Sequence, residues 1–434
     1  MKSAIIIIVV LAIAAMAQTE TSSLRVEEVF SVETAEELEA SLTDGYPMPW
    51  LEEILNDESI PQEDRYWLDC RVRAVIAQDL HLFFDEEGNP VHIETDWIAP
   101  GEDYWRENFM VNPAGEPFLY DSPDRPTNVF SEPGFLVNRF GEEIGQLAMT
   151  HRGIRLSRDA SIGVTLSGRY PLPGCPIRVL TESCFACLLF PDGTFKEIPI
   201  GYSEGNFFAI SNDGNTIAVT AYVSEESPER NEGGGLLSIL NRNGEVIHKY
   251  FMTNRPFESP VVSANGRFVA CQQYPFPVPA VYLIDGQTGE LLHQFGDDIM
   301  GHSFFFTPNE KYLCIGGLQR PLVFDCETLQ EIWTVDVPED VDDFMGTNCD
   351  NEAQSIAMMV YHRSWAPTRP ISGTTIHSIE NKSIWTNSIT RGNIQMSPGG
   401  NFSFSQSYSV NRGISRLNGS NCLPMVINHL AGGE

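Results

Sequence analysis

The chain has 434 residues, with 59 acidic against 27 basic side chains and a formal net charge of −32 at pH 7. A hydrophobic content of 42% with 10% aromatics excludes a disordered chain, and the length is ample for a large core or for two domains. A field of this sign repels nucleic acid and anionic lipid, so neither is an expected partner.

Lys2 is followed by the apolar run Ile5 to Ala15, and Ala15-Met16-Ala17 carries the small-x-small pattern that a signal peptidase reads. The run is too short for a permanent membrane helix. Residues 1–17 therefore read as a signal peptide cut between Ala17 and Gln18, with no Cys after the cut to take a lipid anchor. The expected mature chain is secreted or periplasmic, with no membrane insertion after signal removal. Its acidic excess is concentrated at the front, where residues 18–130 hold 27 acidic and 6 basic side chains. Charge alone speaks to solubility, and a surface for cations or a cationic partner is the sharper reading of the same stretch.

Residues 18–95 read as an acidic helical segment ending in a hairpin. Thr34 and Glu37 form a capping box, and Ser59 with Gln62 forms a second one, with Pro61 where its missing N–H costs little. Trp67, Leu68, Val72, Val75, Ile76 and Leu80 then recur at helical spacing along one face. Residues 81–94 read as a hairpin turning at Glu87-Gly88. Residues 96–130 are rich in Pro, Gly and Asp and read as an irregular connector.

From about residue 131 to 410 one cassette repeats: an apolar strand, a Ser-x-Asp-Gly-like turn, and a second apolar strand. The turns fall at 157, 211, 263, 307, about 348 and 397, a mean spacing of about 48 residues. Ser211, Asp213 and Gly214, and then Ser263 and Gly266, are the clearest turn residues, and Asp213 is expected to bond turn backbone rather than substrate. Each cassette alternates with an outer hairpin, at 135–149, 186–200, 236–251, 280–295, 321–335 and 374–388. One cassette plus one hairpin makes a four-stranded blade. The fold class is mainly β, a six-bladed β-propeller closed by sharing of chain ends, the last cassette pairing with the first outer hairpin. Seven blades result if residues 96–130 or 411–434 supply another set. Residues 411–434 read as a tail poor in strand pattern.

At these residues the chain resembles the WD40-like and YVTN-like β-propellers of exported bacterial proteins, although no blade ends in the Trp-Asp of true WD40 repeats. Two outer hairpins also resemble the quinoprotein propeller turn: Asp285, Thr288 and Gly289 match its first half, and Asp325, Thr328 and Trp333 match it without the Gly. The resemblance implies a role for these residues in docking one blade on the next. It does not imply a quinone.

Other constellations carry less. Gly201-Tyr202-Ser203-Glu204-Gly205 matches a nucleophile elbow, but that elbow needs a helix after the Ser, and here a strand pattern follows. Nine cysteines leave at least one unpaired in a monomer. Cys271 and Cys314 sit in strand patterns and read as small buried hydrophobes. Cys184-x-x-Cys187 lacks the further ligands of a zinc site and reads as a local disulfide or buried thiols. His81 and His92 flank an acidic turn that reads as polar surface. Glu339, Asp340, Asp342 and Asp343 form the densest acidic knot of the repeat region and are weak calcium ligands by sequence, without an EF-hand loop. No catalytic or cofactor-binding residue stands out, and calcium is the one compatible ion. The function expected is a non-catalytic binding or assembly platform for a protein or extracellular ligand. The alternative is a propeller-type enzyme, a calcium-dependent lactonase or a lyase, with acidic residues in the central channel.

Overall fold

A computed structural model describes residues 31–32, 54–69, 82–84, 90–92, 109–111, 118–120, 134–137, 143–147, 154–166, 184–201, 205–223, 234–253, 257–273, 280–296, 301–317, 322–334, 343–349, 355–361, 372–378, 384–387, 392–399, 402–407, 412–418 and 421–427. The helical expectation for 33–53 and 70–80 lies outside these residues. Within them, 54–55 and 62–69 (α1) are helical, joined by a short turn at 56–60. Ile54, Ile60, Trp67 and Leu68 are buried, so this segment packs its apolar face inward. Arg65 ties α1 to residues 54–55 by donating from Nη1 to the Leu55 carbonyl at 2.6 Å.

The first strand, β1 (Ser31–Val32), precedes this segment. A hairpin of β2 (Leu82–Phe84) and β3 (Pro90–His92) follows it, pairing Leu82 with His92. The rest is a run of four-stranded antiparallel meanders. Sheet 1 is β4 (Phe109–Val111), β5 (Phe118–Tyr120), β6 (Gly134–Val137) and β7 (Glu143–Leu147). Sheet 2 is β8 (Arg155–Leu156), β9 (Gly163–Leu166), β10 (Cys184–Leu189) and β11 (Phe195–Gly201). Sheet 3 is β12 (Gly205–Ile210), β13 (Thr216–Val223), β14 (Gly234–Asn241) and β15 (Val246–Thr253). Sheet 4 is β16 (Phe257–Val262), β17 (Phe268–Gln273), β18 (Ala280–Asp285) and β19 (Leu291–Gln294). Sheet 5 is β20 (Gly301–Phe306), β21 (Tyr312–Gly317), β22 (Leu322–Asp325) and β23 (Gln330–Thr334). Sheet 6 is β24 (Asp343–Cys349), β25 (Ser355–Tyr361), β26 (Ser372–Ser378) and β27 (Ile384–Asn387). Sheet 7 is β28 (Gly392–Met396), β29 (Phe402–Ser407), β30 (Arg412–Asn418) and β31 (Asn421–Ile427), and β1 adds to its outer edge parallel to β31.

From sheet 2 to sheet 7 the first strand of each sheet packs against the first strand of the next. Stacked four-stranded meanders in this order fit a β-propeller. The middle strands are covered on both faces. In β13, Ile217, Val219 and Ala221 pack toward sheet 2, while Ala218 packs toward sheet 4 with Val269 and Cys271. This two-sided burial explains why the strands read as unbroken apolar runs instead of alternating ones. Sheet 1 joins the stack through Leu136 and Leu147, which share a core with Ile154, Leu156 and Leu189 of sheet 2.

Two expectations change. The outer hairpin at 135–149 does not borrow the cassette at 393–409: β6 pairs with β5, and β29 pairs with β30. Each chain end finds its missing pair locally, β4–β5 from the stretch read as irregular and β30–β31 from the stretch read as a tail. The signal was hidden because β4 and β5 are three-residue strands around Asn112-Pro113-Ala114-Gly115-Glu116-Pro117, and because β30 and β31 alternate weakly.

Candidate functional site

A meander places its first and third turns at one end of the sheet and its longer connections at the other. The cassette turns and the outer-hairpin turns therefore share one face, and the second strand of each sheet leaves for the third at the opposite end.

On the turn face the cassettes have one chemistry. In sheet 3, Ser211 Oγ donates to Asp213 Oδ1 at 2.5 Å and accepts from the Thr216 N–H at 3.0 Å. Asp213 also accepts from the Asn215 backbone at 2.9 Å and from the Asn215 side chain at 2.7 Å. Gly214 closes the turn at φ 72°. Ser157, Asp159 and Ser161 repeat the pattern in sheet 2, and Thr307 with Asn309 repeats it in sheet 5. Desolvation pushes the Asp159 carboxyl up. Hydrogen bonds from the Ser161 hydroxyl and backbone and from Ser157, with the nearby Arg242 charge, outweigh it and hold Asp159 below the usual carboxylate range. The hydroxyls of Ser157, Ser211, Ser263 and Thr307 belong to residues with almost no solvent exposure.

The turns also interlock between sheets. The Arg158 N–H donates to the Asn212 carbonyl at 2.6 Å, and the Asn212 N–H donates to the Ala264 carbonyl at 2.7 Å. Thr216 Oγ1 reaches the Gly266 carbonyl at 3.0 Å, and Arg242 joins the Asp213 carbonyl at 3.2 Å to Ser161 Oγ at 2.6 Å. The backbone links described run from sheet 2 to sheet 4, and at the next seam a side chain joins sheet 4 to sheet 5. A carboxylate takes over there: Glu310 accepts from Ser263 Oγ at 2.6 Å and from the Asn265 N–H at 2.5 Å. Glu310 holds φ 61° where sheets 3 and 4 have Gly214 and Gly266. No sequence reading singled out Glu310, because it breaks the Gly pattern that defines the cassette.

The quinoprotein-like turns are built on backbone. Asp285 Oδ1 accepts from the N–H groups of Gln287 at 2.9 Å and Thr288 at 2.7 Å, and the Gly289 N–H donates to the Asp285 carbonyl at 2.8 Å. Gly289, at φ 72°, lies against sheet 3. A Cβ there would stand 2.3 Å from His248 Cβ, and the Tyr250 hydroxyl donates to the Gly289 carbonyl. In sheet 5, Asp325 Oδ1 accepts from Glu327 and Thr328, and Leu329 takes the Gly place at φ 56°. Trp333 pairs with Val323 in the ladder.

The remaining sequence candidates are placed as follows. Gly201 ends β11 and Gly205 opens β12, so a strand and not a helix follows the elbow-like motif, while Ser203 itself lies outside the described residues. Glu339, Asp340 and Asp342 also lie outside them, and Asp343 opens β24. His81 is outside them as well, and His92 ends β3. Cys187, Cys271 and Cys326 are buried thiols, which removes the local Cys184–Cys187 disulfide. Cys314 is buried but disulfide-bonded, a correction to its reading as a plain hydrophobe. Apolar burial hides that distinction, because a half-cystine and a thiol fill similar space. Among the described residues no three His, Cys, Asp or Glu side chains group as metal ligands, and no helix is long and apolar enough to cross a membrane.

No family model matches the chain, and no curated protein matches its sequence. Among solved structures, the chain is similar to the β-propeller domain of Cps50 (Swd1) from Myceliophteria thermophila at 10% identity. That match has a TM-score of 0.41 and covers 65% of this chain and 87% of the other.

Proposed function

We propose that the protein is an exported, non-catalytic β-propeller of the WD40-like and YVTN-like kind. Its seven blades close into a ring between sheets 7 and 1, and the ring serves as a binding or assembly platform for a protein or extracellular ligand. The observation that carries this reading is the division between its two faces. The polar groups that recur on the turn face are engaged in turn and inter-sheet hydrogen bonds. The chain passes from second to third strand at the other end of each sheet, the end where loops on a rigid scaffold meet partners. Residues 224–233, polar and Gly-ended, are the foremost contact segment. Export is supported by the apolar run and small-residue cut site at residues 5–17 and by the Cys314 disulfide, which suits an oxidising compartment.

The test replaces residues 224–233 by Asn-Gly, a two-residue turn that suits the terminal Val223–Gly234 pair. Immobilised wild-type protein, the loop variant and a turn-face variant are compared for capture from the native envelope fraction and culture fluid; the last is Lys196→Ala, at the start of β11, where Lys196 donates to the Asn243 carbonyl at 2.6 Å. A partner held by the wild type and by Lys196→Ala but lost by the loop variant is the expected result. Capture indifferent to the loop would sink the assignment of the face. Calcium-dependent turnover of a lactone, with a chelator-reversible thermal shift, would sink the non-catalytic reading.

A further inference from the structure

The relay of hydrogen bonds around the turn face needs a neighbouring turn at every seam, and the seam after sheet 7 does not have one of the usual kind. Sheet 7 carries Ser397-Pro398-Gly399-Gly400, and Pro398 has no N–H to give to a following turn. The next sheet in chain order, sheet 1, joins β4 to β5 through Asn112-Pro113-Ala114-Gly115-Glu116-Pro117, which contains no Ser-x-Asp-Gly cassette. What meets the sheet 7 turn is α1. The Gly399 N–H donates to Asp64 Oδ1 at 2.6 Å across 335 residues of chain. Gly399 is the third turn residue, equivalent to Asn265, whose N–H donates to the Glu310 carboxylate at the seam between sheets 4 and 5. Asp64 thus occupies for sheet 7 the seat that Glu310 occupies for sheet 4. Two residues further along the same helix, Tyr66 lies under the Arg158 guanidinium of the sheet 2 turn, 5.9 Å from the ring centroid. Sheet 2 lies beyond sheet 1 in chain order, so one eight-residue helix touches the turns on both sides of it.

We infer that α1 is a clasp: it supplies a carboxylate to the sheet 7 turn and bridges the turns of sheets 7 and 2 over the closing seam. The arrangement accounts for Asp64, a carboxylate with no solvent exposure, which must have donors in place to stay buried. It also gives the acidic N-terminal segment a task within the propeller. The inference rests on the closed-ring reading above, and the two fail differently.

The experiment is hydrogen exchange on the full mature protein, with Asp64→Asn and Asp64→Ala beside the wild type. Loss of a charge-assisted bond should speed exchange about tenfold in α1, in 154–166 and in 392–399 together. Asp64→Asn, which keeps an acceptor oxygen, should fall between wild type and Asp64→Ala. Residues 216–223 and 268–273, in the middle of sheets 3 and 4, should not change. Faster exchange confined to α1 would overturn the clasp, because the helix would then only rest on the face. If Asp64→Ala fails to fold, Arg158→Gln, which leaves the buried carboxylate intact, decides. It should speed exchange in 62–69 and 154–166, and no change in either overturns the inference. Small-angle scattering of the wild type tests the ring separately, since an open arc has a larger radius than a closed disc whatever α1 does.

Discussion

Glu310→Gly would replace the carboxylate at the fourth position of the sheet 5 turn with the residue that sheets 3 and 4 use there. Two effects of the substitution partly cancel. A left-handed conformation costs a non-glycine residue roughly 1–2 kcal/mol, which the variant regains. Glycine gives about 0.4–1 kcal/mol of that back through the freedom of its unfolded chain. The carboxylate then decides the sign. It accepts from a buried Ser263 hydroxyl and from the Asn265 N–H, and hydrogen bonds to charged groups contribute about 1.5–3 kcal/mol each. The variant should therefore be less stable by about 1.5–6 kcal/mol, less whatever water recovers at the seam. Urea unfolding reads this as a lower midpoint with an unchanged slope. Glu310→Gln keeps the strain and one acceptor oxygen and should lose about half as much. If Glu310→Gly equals or exceeds the wild type in stability, the carboxylate does not hold the seam, and the reasoning about Asp64 by analogy with it also falls.

Three further outcomes are expected. Gly289→Ala forces a Cβ to 2.3 Å from His248 Cβ at φ 72° and should cost more than about 2 kcal/mol, and a thermal midpoint within a degree of wild type would contradict the docking of that turn on sheet 3. Burial raises the Cys271 thiol far above its ordinary range and does the same to Cys326, so both should stay unalkylated at pH 8 until the protein unfolds, and labelling of the native protein at the rate of a small thiol would refute it. Burial also lowers the pKa of His293, which packs on Phe295 and Phe324, so the unfolded chain takes up the proton first. Its contribution is whole above about pH 6.5 and is lost as pH falls from there through the folded value. His293→Leu should remove that part of the acid sensitivity, and parallel stability curves for the two proteins between pH 7 and pH 5 would show the histidine plays no part.

The repeat was legible because its turns carry residues with a local task. Ser211, Asp213 and Gly214 satisfy one another within five residues, so the chemistry is written in the sequence at that spacing. Contacts between sheets leave no such trace. Glu310 reads as a lapse in the Gly pattern until Ser263 is seen beside it, and Asp64 reads as one more acid in an acidic helix. The short strands of sheet 1 were missed for another reason: three residues such as Phe109–Val111 or Phe118–Tyr120 are too few to show a period, and only pairing with β6 makes the second of them a strand. The candidate calcium cluster was a matter of composition alone, and apart from Asp343 it lies beyond the described residues.

The pairing of β1 with β31 has a consequence for how the molecule comes to exist. Ser31 lies beside Val426, and Asp64 meets a turn 335 residues further on. Sheets 2 to 6 are meanders of neighbouring strands, so each can form as soon as its own forty or so residues are available. The N-terminal strand and the Asp64 carboxylate cannot meet β31 and Gly399 until the last sheet exists. They emerge first and dock last, and their docking carries the largest loop-closure entropy of any contact described for the chain. Pairing of β1 with β31 is therefore expected to come late in folding, and until it forms β1 and the edge of β31 are open to the strands of another copy.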